Sequence, residues 1–250
     1  ISLDKTGRYL FGASYQAHLI SVNAIAADGS VAAPPLQLVP VGRNAHSIRT
    51  DGGNRYVFVP TLGSDQIFQF RFDATTGRLC SNTPAVAQLP PGTGPRHFVT
   101  SADNRFMHVL SELLATVTTF ALDAGTGLLT EIASASGLPP DTRLVPGTPR
   151  VAVGTAGTGP ARNRDGDIWA ADIHLTPDGR FLYISERSSS TLGAFSVNAE
   201  TGKLTYLGST PTELQPRGFA IAPDGCFLVA CGEKSDTISV YAIDQESGAL

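Results

Sequence analysis

The chain has 250 residues, of which 42% are hydrophobic and 16% charged, so it can bury a sizeable core. Its formal net charge of −4 argues against a broad nucleic-acid-binding surface. No apolar run approaches the roughly 18 residues that a membrane-spanning helix needs, so neither nucleic acid nor a membrane is expected as a partner.

The predicted elements repeat along the chain. Five segments share a polar turn ending in Gly or Asn, then usually an Arg, then an aromatic residue that opens an apolar strand. A second apolar strand follows, and usually a further turn containing DG, TG or SG, which is typical of tight hairpins because Gly adopts positive φ. Helical periodicity is nowhere sustained. The five turn residues are Gly7, Asn54, Asn104, Gly179 and Gly225.

The spacings between these turn residues are 47, 50, 75 and 46 residues. Repeats of this length with several short strands are typical of β-propeller blades. We therefore predict an all-β fold, a β-propeller with about five four-stranded antiparallel blades in this chain. The long spacing predicts an inter-blade loop insertion at 137–167. Because the chain begins and ends inside the pattern, we interpret 1–250 as a single propeller domain truncated at both ends.

Equivalent positions of successive repeats carry polar and charged side chains. Some lie at the start of a blade's first strand and others at the end of its second strand. Because the two strands are antiparallel, these positions are at the same end of the blade. We therefore predict that these side chains converge at one mouth, with inter-blade salt bridges as the structural alternative. The candidates are His46, Arg96, His97, Glu112, Asp172, His174, Arg187, Arg217, Glu233 and Lys234.

Arginines and histidines around a small acidic group favour a small anionic ligand, because guanidinium forks match carboxylate and phosphate geometry. The sequence contains no GxSxG, GxxxxGK[ST] or HExxH motif, which argues against a nucleophilic serine, a nucleotide phosphate loop and a zinc site. The residues alone thus predict an anion-binding site with possible acid–base chemistry and no metal.

Other recurring residues are assigned to the scaffold. The turn arginines Arg8, Arg55, Arg105 and Arg180 are expected to be structural, and His18 and His108 are expected to have no functional role. Three cysteines, Cys80, Cys226 and Cys231, lack metal-ligand spacing and are predicted to be buried free thiols, which fits a reducing compartment.

Five segments resemble one family. They read GPRHFV (94–99), SEL (111–113), WAADIHLTPDGR (169–180), QPRGFAI (215–221) and EKSDTISVY (233–241). They are similar to the lactonase family of seven-bladed β-propellers, which includes bacterial 6-phosphogluconolactonases and fungal carboxymuconate lactonizing enzymes. The resemblance implies a cytoplasmic, cofactor-free enzyme of the pentose phosphate pathway, a monomer or weak homo-oligomer, which hydrolyses a small anionic sugar lactone, 6-phosphoglucono-δ-lactone.

The resemblance also implies a division of roles. The family's constellation of one His, two Arg and one Glu falls on His46, Arg96, Arg187 and Glu112. Glu112 or His46 would activate water, while Arg96 and Arg187 would stabilise the oxyanion. His97, Arg217 or Lys234 would bind the substrate phosphate. The predicted substrate-binding residues are His97, Asp172, His174, Arg217, Glu233 and Lys234. A carboxymuconate-type cycloisomerase and a non-catalytic binding scaffold are the alternatives.

Overall fold

The computed structural model describes residues 1–150 and 165–250, whose strands form five sheets with antiparallel pairing. In these residues the single helix is a 3₁₀ turn at Leu62–Ser64. The predicted all-β class and the five blade repeats are confirmed. By its contacts the chain divides into two compact units, which are 1–96 with 103–105 and 122–130, and 97–102 with 106–121 and 131–250.

The first unit contains two four-stranded sheets, each with its strands in chain order. Within it, the side chains of Phe11, Ile20, Val57, Val59 and Phe72 are buried in one apolar core. The strands are β1 (Ser2–Leu3), β2 (Tyr9–Ser14), β3 (Leu19–Ala24), β4 (Gln37–Pro40), β5 (Arg49–Thr50), β6 (Tyr56–Thr61), β7 (Gln66–Asp73) and β8 (Arg78–Gln88).

The third sheet has the order β12-β11-β10-β9, and its residues are divided between the units. The fourth and fifth sheets, β13-β14-β15-β16 and β17-β18-β19, belong to the second unit. The remaining strands are β9 (Pro95–Thr100), β10 (Phe106–Ser111), β11 (Thr116–Leu122), β12 (Leu129–Ser136), β13 (Ala170–Leu175), β14 (Phe181–Glu186), β15 (Thr191–Val197), β16 (Leu204–Pro211), β17 (Pro216–Ile221), β18 (Phe227–Gly232) and β19 (Ile238–Ala242).

The predicted insertion at 137–167 lies between β12 and β13, and its residues 151–164 lie outside the described residues. Among its described residues, Val145 forms an isolated bridge with Asp167, and Gly147 donates its N–H to the carbonyl of Leu113 at 2.8 Å. The side chains of Leu138 and Ile168 are buried in the core of the second unit. These contacts fix both ends of the segment next to the strand that ends in the SEL motif.

The turn before each second strand is closed by the same backbone hydrogen bond, in which the N–H of residue 4, 51, 101, 176 or 222 is donated to the carbonyl of the aromatic residue that opens the strand. In the turn before β2, Asp4 Oδ1 accepts hydrogen bonds from the amides of Arg8 and Tyr9 at 2.9 and 3.0 Å. The hairpin between β7 and β8 then contacts the aromatic residue that opens β2. Tyr9 donates its hydroxyl to the carbonyl of Thr75 at 3.1 Å, and Gly77, with a φ of +72°, lies against the tyrosine ring. The recurring Gly and aromatic residues are thus packing partners.

The middle strands differ in their burial. All six residues of β6, of β10 and of β14 are buried, whereas in β18 Phe227, Val229 and Cys231 are exposed. Cys80 is also exposed and Cys226 is partly buried, and all three thiols are free. The prediction of free thiols is confirmed, but the prediction of their burial is wrong, because Cys231 lies on the exposed face of β18 and Cys80 points outward from the outer strand β8.

Candidate functional site

A carboxylate, a guanidinium and an indole form one group in the second unit, called here the Glu112 cluster. Glu112 follows β10, Arg187 follows β14, and Trp169 precedes β13. Glu112 Oε2 lies 3.3 Å from Arg187 Nη2, and Trp169 Nε1 donates to Glu112 Oε1 at 3.1 Å. The guanidinium carbon of Arg187 lies 3.5 Å from the centroid of the indole. Both charged side chains are buried, with exposures of 3% for Arg187 and 6% for Glu112.

Backbone hydrogen bonds hold this cluster in place. Arg187 donates Nε–H to the carbonyl of Trp169 at 3.0 Å and Nη2–H to the carbonyl of Ala170 at 3.1 Å. Ala170 in turn donates its N–H to the carbonyl of Glu112 at 3.0 Å. The neighbouring Glu186 accepts the N–H of Trp169 at 2.6 Å and that of Ser189 at 2.6 Å. The sheet therefore fixes the direction of the guanidinium before any ligand binds.

A cavity of about 480 Å³ opens beside the cluster, a size that is ordinary for a small-molecule site. Of the ten sequence candidates, Arg187 and Lys234 are among its lining residues. It contains three cationic side chains and one carboxylate, so its electrostatic character favours an anion. The lining residues of this cavity, called here the second-unit cavity, are Arg150, Asp165, Trp169, Arg187, Ser188, Ser190, Leu214, Gln215 and Lys234.

A second cluster contains three further candidates. Asp172 Oδ1 lies 2.9 Å from His97 Nδ1, and Oδ2 lies 3.1 Å from His174 Nε2. Burial by itself raises the pKa of Asp172, but the hydrogen bonds and charges of His174 and His97 outweigh it and hold that pKa well below its usual range. The ring of His174 packs edge-on against Phe219, with 4.7 Å between centroids. The structure thus gives Asp172 two histidine partners, His97 and His174.

Two candidates form a surface pair. Arg217 Nη1 lies 2.9 Å from Glu233 Oε1, with side-chain exposures of 59% and 34%. Both residues belong to one sheet, since Arg217 is in β17 and Glu233 follows β18. The salt-bridge alternative expected a pair between blades, whereas this pair is formed within one blade.

His46 and Arg96 belong to the first unit, whereas Glu112 and Arg187 belong to the second. The ring of His46 lies edge-on to that of Tyr15, with 5.7 Å between centroids, and the backbone N–H of His46 donates to the carbonyl of Pro60 at 3.0 Å. Arg96 is buried, and its carbonyl accepts the hydroxyl of Ser47 at 2.8 Å. The convergence of all four residues at one mouth stays a prediction.

Two contributors to the site were missed from the sequence. One is Trp169, the single tryptophan of the chain, to which no role is assigned from the sequence. Its place at the start of the WAADIH motif is the signal that could have identified it. Arg150 lies within the insertion, which has no counterpart in other repeats, and its guanidinium carbon lies 2.9 Å from the centroid of the Trp169 indole. Within 1–150 and 165–250, no three His, Cys, Asp or Glu residues are arranged to hold a metal ion.

The family model described as lactonase, 7-bladed beta-propeller, matches residues 1–250. The chain belongs to the lactonase family of seven-bladed β-propellers. It is 40% identical over 221 residues to the 6-phosphogluconolactonase of Pectobacterium carotovorum, and 38% identical to that of Serratia proteamaculans. These alignments cover 88% of the chain. The chain spans 59% and 60% of the length of these two relatives.

Solved structures show the same lactonase-family fold. The periplasmic gluconolactonase of Pseudomonas aeruginosa is similar, with a TM-score of 0.80 and 30% identity. The match covers 99% of this chain and 66% of the gluconolactonase chain. A protein from Lactobacillus plantarum is similar with a TM-score of 0.83 and 28% identity, with coverages of 99% and 67%. The family predicted from the residues is thus confirmed. In the described part of the chain, no helix is long and apolar enough to cross a membrane.

Proposed function

We propose that this protein hydrolyses 6-phosphoglucono-δ-lactone to 6-phosphogluconate. The observation that carries the proposal is the Glu112 cluster, in which a buried carboxylate and guanidinium border a cationic cavity of about 480 Å³. The relatives named 6-phosphogluconolactonase, at 38–40% identity, support the choice of substrate. A cavity with three cations suits a ligand that carries a phosphate and gains a carboxylate during the reaction.

The reaction needs a nucleophilic water and a stabilised oxyanion. A base, Glu112 or His46, removes a proton from water as its oxygen attacks the lactone carbonyl carbon. The ring C–O bond then breaks, the protonated base returns its proton to the leaving ring oxygen, and the product carboxylic acid releases one proton to solvent. Arg187 and Arg96 are the proposed donors to the oxyanion, and a preorganised donor of this kind contributes about 3–4 kcal/mol of transition-state stabilisation.

The remaining candidates are assigned to substrate contacts. Lys234 lines the second-unit cavity and is proposed to attract the anionic substrate. The cluster of His97, Asp172 and His174 is proposed to contact the hydroxyl groups of the sugar ring, because its hydrogen bonds hold both imidazoles in one orientation. Arg217 and Glu233 satisfy each other at the surface, which supports a scaffold role for that pair.

A pH-stat assay tests the proposal. Freshly generated 6-phosphoglucono-δ-lactone is added to the full-length protein, and acid release is corrected for spontaneous hydrolysis. We expect acid release well above background in the wild-type protein and a large loss in Arg96→Ala. Absence of any acceleration would overturn the proposal, and a carboxymuconate-type acid would then be tested as substrate. Failure with both compounds would favour the binding scaffold.

We propose the cytoplasm as the site of this reaction, without cofactor and with the protein as a monomer or weak homo-oligomer. Three free thiols agree with a reducing compartment. One similar structure is that of a periplasmic gluconolactonase, so the fold also occurs outside the cytoplasm. Fractionation of cells that express the native gene, followed by immunoblotting, tests the location, and recovery in an extracytoplasmic fraction would overturn it.

A further inference from the structure

The second-unit cavity has two kinds of cationic contact. Arg187 reaches Glu112 and the carbonyls of Trp169 and Ala170, so its hydrogen bonds are directed toward the Glu112 cluster. Arg150 stacks on the indole of Trp169. The cavity therefore has one cation whose hydrogen bonds are directed toward the proposed reacting groups and a second that is held on the indole.

The indole of Trp169 separates these two cations. The guanidinium carbons of Arg150 and Arg187 lie 2.9 and 3.5 Å from one ring centroid, and groups so close to a centroid fit only on opposite faces. A guanidinium that stacks on a ring keeps its N–H donors around its rim, where they can bind an anion side-on. Trp169 thus orients Arg150 as well as donating to Glu112.

Beside the two arginines, the polar lining residues of the cavity are Asp165, Ser188, Ser190, Gln215 and Lys234. Of these, Lys234 is an exposed cation. Ser190 Oγ accepts the N–H of Gln215 at 3.2 Å, so its hydroxyl hydrogen can be donated to a ligand. A forked guanidinium, an ammonium and a hydroxyl together form the donor set that a phosphate dianion prefers.

We propose that Arg150 and Lys234, with Ser190, form the subsite that binds the phosphate group of the substrate, and that Arg150 makes the site selective for a phosphorylated lactone. This inference rests on the proposed function and deepens it. It moves phosphate recognition away from Arg217, which is exposed and paired with Glu233 and is not among the lining residues. It also gives the insertion a role in substrate choice, since Arg150 belongs to it.

Steady-state kinetics with two substrates test the inference. The full-length wild type, Arg150→Ala and Arg143→Ala are assayed with 6-phosphoglucono-δ-lactone and with unphosphorylated glucono-δ-lactone. Loss of a charge-assisted contact in Arg150→Ala should raise KM for the phosphorylated lactone about 10- to 100-fold and change kcat/KM for the other lactone much less, so that the preference for the phosphorylated lactone falls. Arg143→Ala is the matched control, because it removes the same charge from an exposed position of the same segment.

The outcomes separate the two proposals. If the wild type prefers the phosphorylated lactone and Arg150→Ala keeps that preference, the subsite is wrong while the lactonase proposal stands. If Arg143→Ala loses the preference equally, the effect is general electrostatics and the subsite is again overturned. If neither lactone is hydrolysed, the lactonase proposal fails, and calorimetric titration with 6-phosphogluconate and gluconate decides the subsite. Tighter binding of the phosphorylated acid that disappears in Arg150→Ala would support it, and equal binding of both acids would overturn it.

Discussion

Two positions of the repeat behave in opposite ways, the turn before the second strand and the residue at that strand's end. In the turns, the same interaction recurs: Asp51 accepts the amides of Arg55 and Tyr56 at 2.7 and 2.8 Å, as Asp4 does in the preceding repeat. At the strand ends, residue identity changes between repeats, and Glu112 pairs with Arg187.

The difference separates scaffold from candidate site. The backbone hydrogen bond that closes all five turns, and the aspartate that makes the same amide contacts in two of them, serve requirements that the blades share. Recurrence of a residue therefore indicates structure. The Glu112–Arg187 ion pair by itself is also what the salt-bridge alternative predicts, and its place beside the second-unit cavity makes it a candidate functional site.

The largest expected effect is on catalysis and comes from a strand-end residue, Glu112. Glu112→Gln keeps an acceptor for Trp169 and Arg187 but removes the proposed base, so kcat should fall about 10²- to 10⁴-fold. The measurement is the pH-stat assay, with near-UV circular dichroism to show that the variant folds. Turnover equal to that of the wild type would contradict the assignment of Glu112.

The control for this prediction is Asp51→Asn, which changes a buried turn residue and not a residue of the candidate site. The side chain is fully buried and bonds to its own turn, so its replacement should lower the free energy of unfolding by about 1–3 kcal/mol. Its kcat/KM should be unchanged. If fully folded Asp51→Asn lost as much activity as Glu112→Gln, the assignment of turn residues to the scaffold and strand-end residues to the site would be wrong.

The next effect concerns the hairpin glycine Gly77. A Cβ at this position would lie 2.6 Å from Tyr9 Cδ1 and closer still to Cε1, and the backbone has φ +72°. Gly77→Ala should therefore lower the free energy of unfolding by about 2–4 kcal/mol through strain and overpacking. Gly29→Ala is the control, because it shares a positive φ of +83° but meets nothing within 4 Å. Equal destabilisation in urea unfolding would show that the tyrosine contact contributes nothing.

The third effect distinguishes a scaffold histidine from the site candidates. Burial lowers the pKa of His108 from 6.5 to about 4, and its Nδ1 lies 3.0 Å from Thr119 Oγ1 inside the sheet. The unfolded chain takes up a proton near pH 6.5, whereas the folded chain does not do so until about pH 4. The free energy of unfolding should therefore fall by up to roughly 3 kcal/mol as the pH drops through that window.

Urea unfolding at several pH values checks the histidine prediction. In His108→Leu the slope of the free energy of unfolding between pH 6.5 and 4 should be smaller by one proton, while above pH 6.5 the two proteins should run parallel. Identical slopes in the two proteins would show that another group causes the loss of stability.

The repeat position of a residue decides whether the sequence alone could identify it as a site residue. Glu112 and Arg187 were found because each lies eight residues after its turn residue, so the repeat gave them one structural position. Arg150 could not be found in this way, because it lies in a segment that no other repeat contains. The sequence also places Arg217 at a candidate position, but only the structure shows that Glu233 satisfies it at the surface.

The smallest expected effect tests a residue that recurs without a role in the site. Arg180 donates Nε–H to Asp178 at 2.7 Å and Nη2–H to the carbonyl of Gln245 at 2.5 Å, and its side chain is 53% exposed. Because solvent screens exposed ion pairs, Arg180→Ala should lower the free energy of unfolding by about 0.3–1 kcal/mol and leave kcat/KM unchanged. Thermal unfolding and the pH-stat assay measure both quantities on one preparation. A loss of activity without a loss of stability would contradict the scaffold assignment, since it would show that a recurring turn arginine also acts on the substrate.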